Sequence, residues 1–207
     1  MINDDGDAEL PGAGFGTGES CPHHAPDTGT TEDTGTEDVI RAGTPADVHT
    51  VLALQDAATE WLAAQGRTGQ WGTRPHSISP RRIAHATGWA ESGGLYLASR
   101  SGRVVGALAV GDAVPYVSPA TEPELYINLL VADPRRRGSG TGARLLRYAA
   151  RLAERRGVRL LRVDCYAGDD QALVRYYERQ GFTATEPFTV ELPDRRWPGQ
   201  VLERRLP

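Results

Sequence analysis

The chain has 207 residues with 23 basic and 27 acidic side chains, a formal net charge of −4, and every basic residue is arginine. That excludes chemistry built on a Schiff-base or phosphate-loop lysine. No run approaches the roughly 18–20 apolar residues of a membrane span, the acidic start lacks a signal peptide's basic n-region, and Cys21 and Cys165 are too few for a disulfide framework, so a cytoplasmic protein without a membrane partner is expected.

Residues 1–38 hold ten carboxylates and no arginine, which leaves 23 basic against 17 acidic side chains in the remainder. This Gly/Thr-rich stretch has almost no large apolar side chains to offset its chain entropy and reads as a disordered tail. Within it Cys21-Pro22-His23-His24 offers metal-ligand types, but falls short of four ligands at structural-zinc spacing. One domain is expected over residues 39–207. Val39 to Arg41 reads as a first strand. Thr44-Pro45-Ala46-Asp47 then starts a helix with Thr as N-cap and Pro at the first helical position; apolar residues from Val48 to Leu62 keep helical spacing until Gly66. A second helix starts at Ser79-Pro80 and stops near Trp89. Leu95–Ser99 and Val104–Val110 flank Ser101-Gly102 and predict an antiparallel hairpin.

Leu125, Ile127, Leu129 and Val131 fall on one face of a strand that begins at Glu124 and ends at Asp133-Pro134. A long helix follows from the glycine-rich segment to about Arg156. Val158–Asp164 is the next strand and Asp170–Gln180 the next helix. The last pair runs from Gly181-Phe182 through Val190 and, after Pro198-Gly199, from Val201 to Leu206. There is no internal repeat. Hairpin, then strand–helix–strand–helix–strand, implies an α/β fold with a mixed sheet and helices on its faces.

Arg137-x-x-Gly140-x-Gly142, after a strand and before a helix, has the makings of an anion cradle. Glycines let the backbone approach a ligand, and the first helical N–H groups favour negative charge. The spacing lacks the G-x-G-x-x-G of a dinucleotide turn, which leaves a pyrophosphate held by amides and Arg137.

Leu129 to Leu146, with Arg135-Arg136-Arg137-Gly138-Ser139-Gly140-Thr141-Gly142-Ala143 at its centre, closely resembles the acyl-CoA-binding motif of the GNAT N-acetyltransferases, R/Q-x-x-G-x-G/A. Tyr176-Tyr177-Glu178-Arg179-Gln180-Gly181-Phe182 is similar to the family's L-Y-x-x-x-G-F. The resemblance covers about residues 39–206. It implies a mostly antiparallel twisted sheet splayed at the cofactor site and transfer of an acetyl group from acetyl-CoA to a primary amine, with no metal. It also implies that amides from Arg137 to Ala143, including Gly138, Ser139, Gly140, Thr141 and Gly142, hold the pyrophosphate, and that Leu130 and Val131 meet the pantetheine arm at a strand bulge or splay. There a backbone N–H polarises the thioester carbonyl. Tyr177 matches the tyrosine that protonates the departing thiolate.

Where the family often has Asn, this chain has Asp170, either a helix cap or a weaker cofactor contact, with Gln171 beside it able to supply an amide. Glu124 resembles the position of the base in some relatives, with a water chain as the alternative. Tyr126 falls on the same side as Glu124, in position to line the acceptor pocket. Trp61, Trp71, Asp112 and Tyr116 lie in segments that form the acceptor cleft in relatives or serve as scaffold. Ten arginines between Arg135 and Arg162 raise nucleic acid as a partner, but Arg144, Arg147, Arg151 and Arg155 form one stripe of an amphipathic helix, and the overall acidity of the chain disfavours it. Cys165 reads as a small buried hydrophobe rather than a nucleophile. The expected acceptor is a small-molecule amine; a protein N-terminus or side chain, or a non-catalytic acyl-CoA sensor, is the alternative, and a homodimer is common among relatives.

Overall fold

The computed structural model describes residues 39–168, 170–193 and 195–207. The predicted tail, with its Cys21-Pro22-His23-His24 segment, lies outside the described residues. Among the described residues seven strands form one sheet: β1 (Val39–Ala42), β2 (Leu95–Arg100), β3 (Arg103–Gly111), β4 (Glu124–Ala132), β5 (Leu160–Tyr166), β6 (Thr183–Glu191) and β7 (Arg196–Arg205), in the order β1-β2-β3-β4-β5-β7-β6. Among the described residues only β4 and β5 run parallel. Among the described residues four α-helices cover it: α1 (Val48–Ala64), α2 (Pro80–Glu91), α3 (Thr141–Arg155) and α4 (Ala172–Arg179).

Local chemistry sets the boundaries. Ser79 accepts from Arg82 N at 3.4 Å and caps α2 behind Pro80. Ser101 and Gly102 both take positive φ, 50° and 73°, as a two-residue turn matching the twist of β2 and β3 requires. Before α1, residues Pro45–Asp47 form a single 3-10 turn, tighter than the α-helical start the sequence suggests. Asp47 Oδ2 accepts from Thr44 N at 2.9 Å, and Arg41 of β1 donates to both carboxylate oxygens at 2.6 and 2.9 Å.

These donors, Arg41 first, hold the Asp47 carboxyl well below its ordinary 3.8. A carboxyl depressed on folding contributes stability above its unfolded pKa and loses it as pH falls through the folded value. Asp47→Asn is therefore expected to melt below wild type at neutral pH, and the gap to close progressively as the pH drops below about 3.8. Thermal unfolding across that range checks the sign.

One apolar core lies between the sheet and α3/α4, with Leu145, Leu146, Ala149, Val174 and Tyr177 against Leu125, Ile127, Leu161 and Val163. A second lies between the sheet and α1/α2, with Val51, Leu52, Ala86 and Trp89 against Leu97, Ala107, Leu129 and Val131. The predicted single face of β4 is thus corrected: Leu125 and Ile127 serve one core, Leu129 and Val131 the other. The cause is in the register, where Ala109 pairs with Leu129 but Val110 with Ile127, leaving Asn128 as an extra residue in β4. An added residue reverses the alternation beyond it.

A second correction concerns β7, which begins at Arg196 rather than after Pro198-Gly199. The hairpin closes earlier, through Leu192 N to Arg195 O at 2.8 Å. Pro198 is tolerated because its carbonyl takes Ala167 N at 3.0 Å while its missing donor falls past the last β5–β7 pair, Tyr166–Gly199. β5 likewise lies two residues later than expected, and α4 starts at Ala172 because Gln171 adopts φ 44°.

Candidate active site

β4 and β5 stay paired only from Glu124–Leu160 to Ile127–Val163. Beyond the Asn128 bulge β4 pairs with β3 alone, and beyond Val163 β5 pairs with β7 alone. The sheet opens there, and Leu130 and Val131 lie on a strand edge with no β5 residue opposite them. Backbone groups on such an edge need partners and can offer them to an extended ligand.

At the end of β4 the chain makes a 3-10 turn (Pro134–Arg136), anchored by Asp133, whose Oδ1 accepts from Arg135 N at 3.0 Å and Arg135 Nε at 2.9 Å. Gly138 and Gly140 then take φ of 78° and 80°, a conformation that strains any other L-residue. The first helical bond of α3 is Arg144 N to Gly140 O at 3.0 Å, so the amides of Thr141, Gly142 and Ala143 precede the intrahelical ladder. They point with the helix dipole toward the mouth of the opening, an arrangement suited to an anion. Ser139 Oγ and Thr141 Oγ1 are 3.1 Å apart within the loop. Arg137 is exposed, its guanidinium 4.3 Å from the centroid of the Trp61 ring of α1. That contact places Trp61 beside the glycine loop.

α4 closes the α3 side of the opening. Tyr176 brings its hydroxyl to Gly142, where a Cβ would stand 2.5 Å from it. Tyr177 is buried, edge-on to Phe182 with centroids 5.6 Å apart, and burial keeps its phenol protonated by pushing its pKa well up. Cys165, on the face of β5 toward α4, is also buried, with its thiol pushed up to about 12, which removes it as a nucleophile at neutral pH. Asp170 Oδ1 accepts from Ala172 N at 3.1 Å at the start of α4, and Asp170 also pairs with Arg67.

The opposite face carries different chemistry. Glu124 lies in the paired half of the two strands, 3.2 Å from Arg162 Nη1. Burial raises its pKa, opposed by Arg162. Arg162 is itself buried, donating to Ser118 O at 3.0 Å, with its Nε 3.2 Å from Glu203. Glu124 is thus tied into an ion-pair network short of the opening. The carboxylate that stands at the opening is one the sequence reading passed over: Asp164, the first residue of β5 after the last parallel pair. Its Oδ1 accepts from Tyr126 Oη at 2.7 Å and its Oδ2 from Tyr116 Oη at 3.3 Å. Burial raises its pKa, and the two phenols oppose that. Tyr126 and Tyr116 were candidate pocket residues; the signal available for Asp164 was its parity with Arg162 in a strand, which assigns no role.

The segment between α1 and α2 crosses this face. Tyr166 fits against Gly69 and Gly168, Trp197 Nε1 donates to Gln70 O at 3.1 Å, and Arg67 reaches Asp170. Trp71 packs on the α1/α2 core, 5.2 Å from the His76 ring, and Asp112 uses its carbonyl to accept from Asn128 Nδ2 at 3.0 Å. Among the described residues no group of three or more His, Cys, Asp or Glu is placed to hold a metal, and no helix is long and apolar enough to cross a membrane.

An opened mixed sheet with a glycine cradle at a helix start is the architecture of an acyltransferase. The sequence model of the GNAT acetyltransferase family matches residues 56–182, and the chain belongs to that family. No protein of curated function matches it in sequence. Among solved structures, one provisionally described as a phosphinothricin N-acetyltransferase is 25% identical with a TM-score of 0.62, over 82% of this chain and 99% of that one. The ribosomal-protein-alanine N-acetyltransferase from Brucella melitensis shares the fold at 23% identity and TM-score 0.61, over 81% and 99%. A structure from Salmonella typhimurium provisionally described as an acetyltransferase, solved with its cofactor acetyl-CoA, shares it at 18% identity and TM-score 0.60, over 83% and 95%.

Proposed function

We propose that the protein transfers the acetyl group of acetyl-CoA to the primary amine of a small molecule by direct attack in a ternary complex. The observation that carries this reading is the juxtaposition of the open β4 edge with the left-handed glycine cradle of α3. The amides from Arg137 to Ala143 and the Arg137 guanidinium hold the pyrophosphate. The edge at Leu130 and Val131 takes the pantetheine arm and places a backbone donor where negative charge grows during attack. Tyr177, held protonated, gives a proton to the leaving thiolate, whose ordinary pKa near ~8.5 makes that help useful but not indispensable. Asp170 supports the start of α4 and so the placement of Tyr177. A small acceptor is favoured over a protein because the segment between α1 and α2 is fastened across the acceptor face at three points.

Acetyl-CoA at a hundredfold excess over its Kd stabilises a folded binder by about 2.7 kcal/mol. For a domain of this size that is a rise in Tm of roughly 5–10 °C. Thiol release across a panel of amines should accompany it, and Tyr177→Phe should lower kcat more than it weakens acetyl-CoA binding. Neither a Tm shift nor amine-dependent thiol release would overturn the reading.

A further inference from the structure

We infer that Asp164 receives the acceptor's ammonium group and takes its proton, and that the acceptor is a primary amine carried on an apolar or aromatic body. This rests on the transferase reading for the location of the reaction. The carboxylate sits at the position where β5 leaves β4, on the face away from α4, with its neighbour Cys165 turned to the other side. Both oxygens are engaged by neutral phenols, Tyr126 at 2.7 Å and Tyr116 at 3.3 Å, and among the described residues no arginine pairs with it. Its surroundings are otherwise apolar: Tyr126, Val114, Val117 and Val201 form a small core beside it. Phenols orient a carboxylate but supply no counter-charge, and burial opposes its ionisation, so a cation brought to it is what would favour the charged form. An ammonium is the complement it lacks. Glu124 already has that complement in Arg162.

The wall beyond Asp164 is aromatic. Tyr116 lies 5.5 Å from Phe188, Phe188 6.1 Å from Trp197, and Trp197 5.5 Å from Tyr166, all as ring centroids. Gly199 has no side chain where the Phe188 ring crosses it. Rings beside a carboxylate favour a cation by their π faces and a flat or apolar body by area. Tyr116 is 36% exposed, so the row reaches solvent.

The step balances as follows. One N–H bond of the ammonium breaks and its proton passes to an Asp164 oxygen. The freed lone pair forms the C–N bond as the C–S bond breaks. A second N–H proton leaves the nitrogen to replace the one Tyr177 gives the thiolate, and Asp164 releases its proton to water.

Phenethylamine and its uncharged counterpart 2-phenylethanol are the probes. Phenethylamine should bind wild type by calorimetry and support thiol release, and 2-phenylethanol should do neither. Asp164→Asn, which keeps the shape, should lose at least about 100-fold in kcat/KM for phenethylamine while its acetyl-CoA affinity and Tm stay at wild-type values. Turnover retained in Asp164→Asn overturns the inference and leaves the transferase reading standing. Phenethylamine binding that Asp164→Asn abolishes, with no turnover in wild type, upholds the ammonium site and overturns the transferase reading. Failure of wild type to bind phenethylamine while turning over other amines overturns the acceptor class. Should Asp164→Asn not fold, Tyr116→Phe removes one phenol from a partly exposed position and should raise KM for phenethylamine several-fold at unchanged acetyl-CoA affinity; an unchanged KM overturns the inference.

Discussion

Gly142→Val is expected to weaken acetyl-CoA binding by about 100-fold or more, the loss of two charge-assisted bonds at roughly 1.5–3 kcal/mol each. The reason is local crowding. Gly142 lies in the first turn of α3 and has no positive φ, so its backbone would accept any residue. What it has no room for is a side chain, because a Cβ there stands 2.5 Å from Tyr176 Oη and 3.5 Å from Tyr176 Cζ. Either the Tyr176 ring or the amides must move, and the ring rests edge-on against Tyr177 with centroids 5.4 Å apart. Gly142→Ala should show a smaller loss of about tenfold, and adding Tyr176→Phe should restore most of it, since only the hydroxyl oxygen is closer than ordinary contact. The double variant should also melt above Tyr176→Phe alone, as alanine in place of helical glycine contributes up to about 1 kcal/mol. Isothermal titration with acetyl-CoA measures all four proteins. Wild-type affinity in Gly142→Val would remove the cradle as the coenzyme site.

Arg162→Met should destabilise the fold by about 3 kcal/mol, seen as a fall in Tm of roughly 6–12 °C. Arg162 is 3% exposed and serves Glu124, Glu203 and the Ser118 carbonyl together. Methionine fills the volume but leaves Glu124 and Glu203 without the buried cation they share. The value belongs at the lower end for a broken buried pair, because the Glu124 and Glu203 side chains keep 15% and 27% of their exposure to water. Removing the stranded charges as well, in Glu124→Gln/Glu203→Gln/Arg162→Met, should recover most of the loss. Equal melting of wild type and Arg162→Met would show that the network contributes nothing net.

What could be read from the chain divides by range. The cradle was legible because its requirements are local: two glycines with left-handed backbone, an arginine, and a helix start in one run of residues. Caps at Ser79 and the Ser101-Gly102 turn were legible for the same reason. The Asn128 bulge was not, since an extra residue in β4 is defined only against β3, and the alternating Leu125, Ile127, Leu129 and Val131 fit an unbroken strand equally well. Pro198-Gly199 looked like a turn because prolines usually stop strands; only the end of the β5–β7 ladder explains why this one does not. Trp61 came to Arg137 and Tyr116 to Asp164 across 76 and 48 residues of sequence, distances over which no spacing rule operates. Glu124 illustrates the same limit from the other side, because its partner Arg162 lies 38 residues away on the next strand.

The four register pairs that hold β4 to β5 are a thin spine for a seven-stranded sheet. On one side of it lie β1 to β4, on the other β5, β7 and β6, and past Ile127 the two leaves share no ladder. An extended molecule lodged between them would act as a removable rung, joining edges that the polypeptide leaves apart. The lifetime of the folded enzyme would then follow the supply of its own acyl donor, with starved molecules opening along the spine first and becoming the ones a protease finds.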